Sequence, residues 1–199
     1  MLAPMEDLRY ISAPTRLAEI AAATTEIQFS MSSEPLVGAL LRTLAATKPR
    51  GQFLELGTGT GLATAWLLAG MDETSTLVSV DNDKAVQDVA RKAFEDDRRL
   101  TLVTSGALEY LETQVPLSFD LVFADAMPGK YEGLDAALNV VKSGGFYIVD
   151  DLLPQANWPP GHAEKIPKLI DQLASRVDFE VLPLIWASGV VMAIRKSIS

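Results

Sequence analysis

The chain has no cysteine and one histidine, His162, in 199 residues. Disulfides, thiol nucleophiles and cysteine-ligated metal sites are therefore excluded. Basic residues are in the minority, with 17 Lys and Arg against 26 Asp and Glu and a net charge of −9. That balance argues against a nucleic-acid or anionic-membrane surface. The pairs Arg98-Arg99 and Arg195-Lys196 are too short to suggest a local basic patch. No apolar run is long enough to span a bilayer: the most apolar stretch, 181–194, is broken by Pro183 and Gly189 and reads as two strands. Met1 to Asp7 is acidic and lacks an apolar core, so no secretory signal is expected and a cytoplasmic protein is.

What is present is an ordinary globular composition, 48% hydrophobic and 22% charged, in a length that suits one domain. From Gln52 onward the pattern alternates between short apolar runs and helical spacing. Strands are predicted at 52–56, 76–81, 100–104, 119–125 and 144–150. Helices are predicted near 62–70, 83–95, 106–114 and 131–141. Runs such as Leu77-Val78-Ser79-Val80 and Leu121-Val122-Phe123-Ala124 are almost wholly apolar, as burial on both faces of a parallel sheet requires. A further helix at 163–175 leads to strands at 178–185 and 190–195, joined by Ala187-Ser188-Gly189 as a hairpin. The expectation is an α/β fold, a Rossmann-like doubly wound sheet of five parallel strands plus a C-terminal antiparallel hairpin. Two N-terminal helices, one beginning at Pro14 and one over 34–46, precede it. The domain would run over 1–199, with a helical cap at 1–50 and the Rossmann-like core at 51–199. The helices would pack on the sheet, and the linker Phe29–Glu34 would act as a lid.

The chain is organised around Phe53-Leu54-Glu55-Leu56-Gly57-Thr58-Gly59-Thr60-Gly61, a strand that turns on three glycines into a helix. Glycines permit the tight turn and let a ligand approach the backbone. Thr58 and Thr60 are expected to cap the helix that follows. In such a sheet ligands bind outside the carboxyl ends of the strands. Four of the five parallel strands end in acid: Glu55, Asp81 (followed by Asn82 and Asp83), Asp125, and Asp150-Asp151. Each alone reads as a helix cap. Together they suit a ligand with hydroxyls and positive charge, or a metal. Asp81 lies where an acid receives a ribose diol. Leu62 stands where the dinucleotide fingerprint needs its third glycine, the turn has no lysine, and Glu55 would repel a pyrophosphate. S-adenosylmethionine, cationic and free of phosphate, suits this set better than NAD.

The segment Glu55–Gly61 resembles motif I of the class I S-adenosylmethionine-dependent methyltransferases. Phe119-Asp120-Leu121-Val122-Phe123-Ala124-Asp125-Ala126, Gly144-Gly145-Phe146-Tyr147-Ile148-Val149-Asp150-Asp151 and Ser105-Gly106-Ala107-Leu108-Glu109 resemble segments of the catechol and caffeoyl-CoA type O-methyltransferases, in order. The resemblance implies that Glu55, Gly57, Thr58, Gly59 and Gly61 cradle the methionine end of the cofactor. It implies that Asp81 and Asn82 hold the ribose end and that Gly106 and Ala107 lie against adenine. Asp125 is counted on the cofactor side as well as the catalytic side. The resemblance further implies that Asp125, Asp150 and Asp151 bind Mg²⁺ or another divalent cation, that the acceptor is a small phenol- or catechol-like molecule, and that the protein is a homodimer.

The sequence departs from that family where the family's catalytic lysine stands, three residues after Asp125. Pro128 occupies the position, and Lys130 follows two residues later. Asp151 replaces the family's amide. Asp125 and Lys130 are the candidate catalytic residues. Two other functions stay open: an S-adenosylmethionine-binding protein without catalysis, and an NAD-linked oxidoreductase. The Pro-rich loop from Asp151 to His162 is long enough to be functional. Its Trp158 could wall an aromatic acceptor or plug the loop from beneath. His162 reads as a surface histidine at a helix start.

Overall fold

The computed structural model describes residues 10–197; the acidic N-terminal stretch lies outside them. The helices are α1 (Leu17–Glu26), α2 (Pro35–Ala46), α3 (Leu62–Gly70), α4 (Lys84–Ala93), α5 (Ala107–Glu112), α6 (Leu134–Asn139) and α7 (His162–Ala174). The strands are β1 (Gln52–Leu56), β2 (Thr76–Asp81), β3 (Leu100–Thr104), β4 (Phe119–Ala124), β5 (Val141–Val149), β6 (Phe179–Leu184) and β7 (Val190–Arg195). They form one sheet in the order β3-β2-β1-β4-β5-β7-β6. The first five run parallel, and β7 pairs antiparallel with both β5 and β6. This is the expected α/β architecture. The hairpin inserts β7 beside β5 and leaves β6 at the edge.

The alternation of side chains along each strand creates two cores. On one face Leu54, Leu56, Val122 and Ala124 meet Leu111 of α5, Ala137 and Leu138 of α6, and Leu169 and Leu173 of α7. On the other, Phe53, Leu121 and Phe123 meet Ile20 of α1, Leu41 of α2, Leu67 of α3 and Ala90 of α4. The N-terminal helices thus pack on the sheet. The first begins at Leu17, not Pro14, because the Pro14 carbonyl accepts the Leu17 N–H in a preceding turn.

The elements α6 and β5 differ most from expectation. Residues 126–132 fold into turns, so α6 starts only at Leu134, with Gly133 in the left-handed region as its N-cap. It ends at Asn139, and β5 begins at Val141. The register between β4 and β5 then slips, from Phe119 opposite Val141 to Leu121 opposite Phe146, and Gly144-Gly145 fall within the slip.

Thr58 and Thr60 do not cap α3. Its N-cap is Gly61, at φ +93° and with no side-chain cap. Thr58 instead shares a hydrogen bond of 2.6 Å with Ser79, and Thr60 accepts one of 2.7 Å from Thr24 of α1. The hydroxyls tie the turn to β2 and to α1 because helix entry is already set by the glycine. Gly61 is required twice over: its φ is positive, and a Cβ there would stand 2.7 Å from the Ala90 Cβ of α4.

Glu55 is fully buried beneath this turn. Its Oε2 accepts hydrogen bonds of 2.5 Å from Thr64 and from Ser79, while Oε1 has no partner. Burial dominates these bonds and pushes its pKa up to about 7.

Two outcomes are expected from this packing. Gly61→Ala should cost about 1–3 kcal/mol of unfolding free energy in urea titrations, since it adds backbone strain and a clash with α4. Glu55 binds its proton more tightly folded than unfolded, so its stabilising contribution is present below its unfolded pKa and is lost as pH rises through about 7. The stability difference between wild type and Glu55→Gln, both without cofactor, should therefore shift by about 3 kcal/mol against wild type between pH 5 and pH 8. A pH-independent difference would count against the buried, protonated carboxyl.

Candidate active site

The chain leaves β1 to build one side of the sheet and returns at β4 to build the other, so a crevice opens between the carboxyl ends of β1 and β4. A cavity of about 420 Å³ lies there. Its floor is Gly57, Thr58, Gly59, Thr60 and Leu62 from the β1 turn, with Asp81, Asn82 and Asp83 from the end of β2. The backbone there is organised by carboxylates. Asp81 accepts the Gly59 N–H at 2.8 Å through Oδ2 and the Asp83 N–H at 2.9 Å through Oδ1. Asp83 in turn caps α4 by accepting from Ala85 and Val86. Gln87, buried in α4, donates to Thr58 at 3.1 Å and to the Val103 carbonyl at 3.1 Å. The sequence reading had no signal for Gln87, because its partners come from β1 and β3.

The other end of the cavity is lined by Asp125, Ala126, Met127, Pro128, Lys130 and Asp151, with Asn157, Trp158, Pro159 and His162 from the loop and the start of α7. Phe29, Met31, Ser32 and Ser33 of the linker complete it. The linker is held in place by two bonds. Ser33 donates to Asp125 Oδ2 at 2.9 Å, and Asn157 donates to the Ser30 carbonyl at 2.7 Å. The linker expected as a lid thus contributes part of the cavity wall.

Lys130 faces this space although only 3% of it is exposed. The cause is local. Tyr147, buried in β5, donates its hydroxyl to the Gly129 carbonyl at 2.5 Å. Gly129 sits at φ +87°, so close to Leu56 that a Cβ would stand 2.4 Å from the Leu56 Cδ1. Only glycine lets the turn settle on β1 so closely, and the next residue is then carried inward.

His162 differs from expectation. It does open a helix, but it is 7% exposed. Trp158 stacks on its ring with centroids 4.5 Å apart, and Tyr131 meets it edge-on at 5.3 Å. Its Nε2 lies 3.0 Å from the Tyr131 hydroxyl and 3.3 Å from the Asp151 carbonyl. The Pro-rich loop folds back over the imidazole and takes it out of water. Burial lowers its pKa, which favours the neutral ring. Trp158 both covers His162 and lines the cavity.

The candidate site residues do not all reach this space. Gly57, Thr58, Gly59, Asp81, Asn82, Asp125, Lys130 and Asp151 line it; Glu55, Gly61, Gly106, Ala107 and Asp150 do not. Glu55 and Gly61 support the turn from beneath, and Gly106 is the N-cap of α5. Asp150, 1% exposed, accepts hydrogen bonds from Ser188 of the β6–β7 turn and from the Asp151 N–H, the latter at 2.7 Å. Burial pushes its pKa up to about 6. Asp125 is pushed well above the usual carboxylate range by burial and then by the Asp150 charge.

The donor set does not fit the divalent cation that the resemblance implies. Asp125 is turned to Ser33 and Asp150 to Ser188, and Asp150 lies behind the wall. Among the described residues no three carboxylate or imidazole groups stand together as ligands. No helix among those residues is long and apolar enough to cross a membrane.

Comparison with known proteins gives a consistent answer. Residues 54–152 match the methyltransferase domain family. A provisionally named O-methyltransferase of Mycobacterium sp. strain KMS is 34% identical over 120 residues, which cover 58% of this chain and 54% of that protein. Its counterpart in Mycolicibacterium smegmatis is 33% identical over 120 residues, covering 58% and 57%. The chain therefore spans about half the length of the curated relatives it matches. Among solved structures, the O-methyltransferase TomG of Streptomyces achromogenes, in complex with S-adenosylmethionine, superposes with a TM-score of 0.78 at 21% identity over 95% of this chain and 93% of that one. A Bacillus cereus O-methyltransferase in complex with S-adenosylhomocysteine gives 0.78 at 20% identity, over 94% of each. At those identities the likeness is one of fold. Taken with the glycine turn and the strand-end acids, the match marks residues 54–152, about half of the chain, as similar to the methyltransferase domain family.

Proposed function

We propose that this protein is an O-methyltransferase that moves the methyl group of S-adenosylmethionine to a hydroxyl of a small aromatic acceptor. The observation that carries this reading is the single cavity, which joins the glycine turn and Asp81 at one end to Asp125, Lys130 and the Trp158–His162 stack at the other. The names of the mycobacterial relatives and the cofactor in the TomG complex support it.

The lining suits that cofactor. The wall carries Asp81, Asp83, Asp125 and Asp151 and only one lysine, Lys130, so the cavity favours a cation over a pyrophosphate. That charge balance also counts against the NAD reading. Asp81 has its backbone bonds already made and presents its remaining lone pairs to a ribose diol. The Gly57–Gly59 backbone and the open N-terminus of α3 receive the methionine end. Glu55 acts from below, holding the turn through Thr64 and Ser79.

At the acceptor end, Trp158, Met127, Pro128 and Phe29 supply apolar walls for a flat ring and exclude water. Asp125 is the proton acceptor. Its Oδ2 is engaged by Ser33, its carboxylate stands at the cavity, and its raised pKa matches it to a hydroxyl proton better than an ordinary carboxylate. When bound, the cofactor supplies an activated methyl group: the acceptor oxygen gains it, the S–C electron pair returns to sulfur, and the hydroxyl proton passes to Asp125. Alignment within one enclosed space supplies much of the rate.

Calorimetry should detect S-adenosylmethionine binding to the folded protein, and Asp81→Ala should weaken it about 10- to 100-fold by removing charge-assisted hydrogen bonds to the ribose. Incubation with a panel of hydroxylated aromatics, read by mass spectrometry, should yield a methyl ether, and Asp125→Asn should slow its formation more than it weakens cofactor binding. A folded protein that binds no cofactor would refute the reading. Cofactor binding with no methylated product across the panel would favour the non-catalytic binding protein.

A further inference from the structure

The acceptor end holds a buried cation without a direct ion pair among the described residues. Lys130 is 3% exposed and lines the cavity, yet among the described residues it makes no ion pair and no side-chain hydrogen bond. The Tyr131 ring centroid lies 5.5 Å from its Nζ. The turn that carries it is not free to swing out, because Tyr147 holds the Gly129 carbonyl from below and Gly129 rests on Leu56. An ammonium group fixed in a half-closed cavity with its donors unspent needs an oxygen partner.

Two of the three carboxylates at this end are held by serines, while Asp151 lines the cavity. Ser33 holds Asp125, and Ser188 with the Asp151 N–H holds Asp150. These serines come from segments remote in sequence, the linker before α2 and the turn between β6 and β7. Each serine engages one carboxylate oxygen, and Lys130 is close enough to Asp125 and Asp150 to offset their charge. A divalent ion placed among them would meet an ammonium group of like sign and would have to displace two serine hydrogen bonds.

We propose that Lys130 takes the place of the divalent cation at the acceptor end: its ammonium receives the acceptor's oxygen, and the site works without a metal. This inference rests on the methyltransferase reading and assigns the group that orients the acceptor. It also gives Pro128 a role, since the Pro128-Gly129 turn is what delivers the lysine to the cavity two positions later than the family pattern. Selectivity follows from the same geometry. The acceptor should carry an acidic hydroxyl, such as a phenol, whose oxyanion a single ammonium stabilises, and it should not need the second, adjacent hydroxyl that chelation of a metal would use.

The test uses the full chain saturated with S-adenosylhomocysteine and two probes: Mn²⁺ alone, followed by electron paramagnetic resonance, and 4-nitrophenol or 4-nitrocatechol, whose phenolate absorbs visibly. Wild type should bind no stoichiometric Mn²⁺. Both phenols should bind with a raised phenolate fraction, unchanged by a chelator. Lys130→Met should weaken phenol binding about 10- to 100-fold and abolish the phenolate signal, with S-adenosylhomocysteine still bound as proof of a folded site. A stoichiometric Mn²⁺ site on which the phenolate signal depends would overturn the proposal. So would an unchanged signal in Lys130→Met or Lys130→Gln, or a wild type that binds the cofactor product but neither phenol. Failure to bind S-adenosylhomocysteine at all would instead strike the methyltransferase reading beneath it.

Discussion

The parallel pairing of β1 with β2 on one side and β4 on the other is the constraint on which the rest depends. It places Leu56 opposite both Val80 and Ala124, so the glycine turn, Asp81 and Asp125 emerge on one rim. A shift of one residue would move each β1 side chain to the opposite face of the sheet and out of its own core. The rim is then stiffened from beneath by a buried polar chain in which Thr64 and Ser79 hold Glu55, Ser79 meets Thr58, and Gln87 meets Thr58. Such a network is favourable only when its members are paired, and the unpartnered Oε1 of Glu55 is where this one is incomplete. That gap and the raised pKa of Glu55 have one origin, a carboxyl held out of water.

The cavity has two characters because its two ends are built by different means. The cofactor end is made of backbone and of residues adjacent to strand ends, and its geometry follows from the sheet. The acceptor end is made of three segments without regular structure, the linker 29–34, the turns 126–132 and the loop 151–161. Each is fastened by a few side chains. Ser33 reaches Asp125, Asn157 reaches Ser30, Tyr147 reaches Gly129, and Trp158 lies on His162. This division fits a fold that keeps its methyl donor constant and varies its acceptor, since loops accept change at lower cost to stability than strands.

Much of this was legible in the chain. The strand and helix periods located β1, α3, β2, β3 and β7 with the bounds the structure has; β1, α3 and β7 each follow a glycine, and β3 is a half-exposed edge strand. The acid at each strand end was visible as a residue type. Its surroundings were not. Thr58 and Thr60 looked like helix caps, since a hydroxyl before a helix has that role when only local structure is considered. In the fold each is claimed by a residue distant in sequence, Ser79 for one and Thr24 for the other. His162 looked like a surface residue because a helix start after a Pro-rich loop is ordinarily wet, and nothing local tells that Trp158 folds back onto it.

The sequence by itself determined the α/β class, the crevice at the glycine turn and the preference for a cationic, phosphate-free cofactor, because these depend on periodicity, on glycine and on charge, which are local properties. Tertiary structure decided whether Lys130 faces the cavity and whether Asp125, Asp150 and Asp151 converge. The first depends on a tyrosine in β5 bonding to a glycine carbonyl 18 residues earlier. The second depends on serines 92 and 38 residues from the acids they hold. Contacts of that span have no periodicity to read. They exist only once the sheet has brought their ends together.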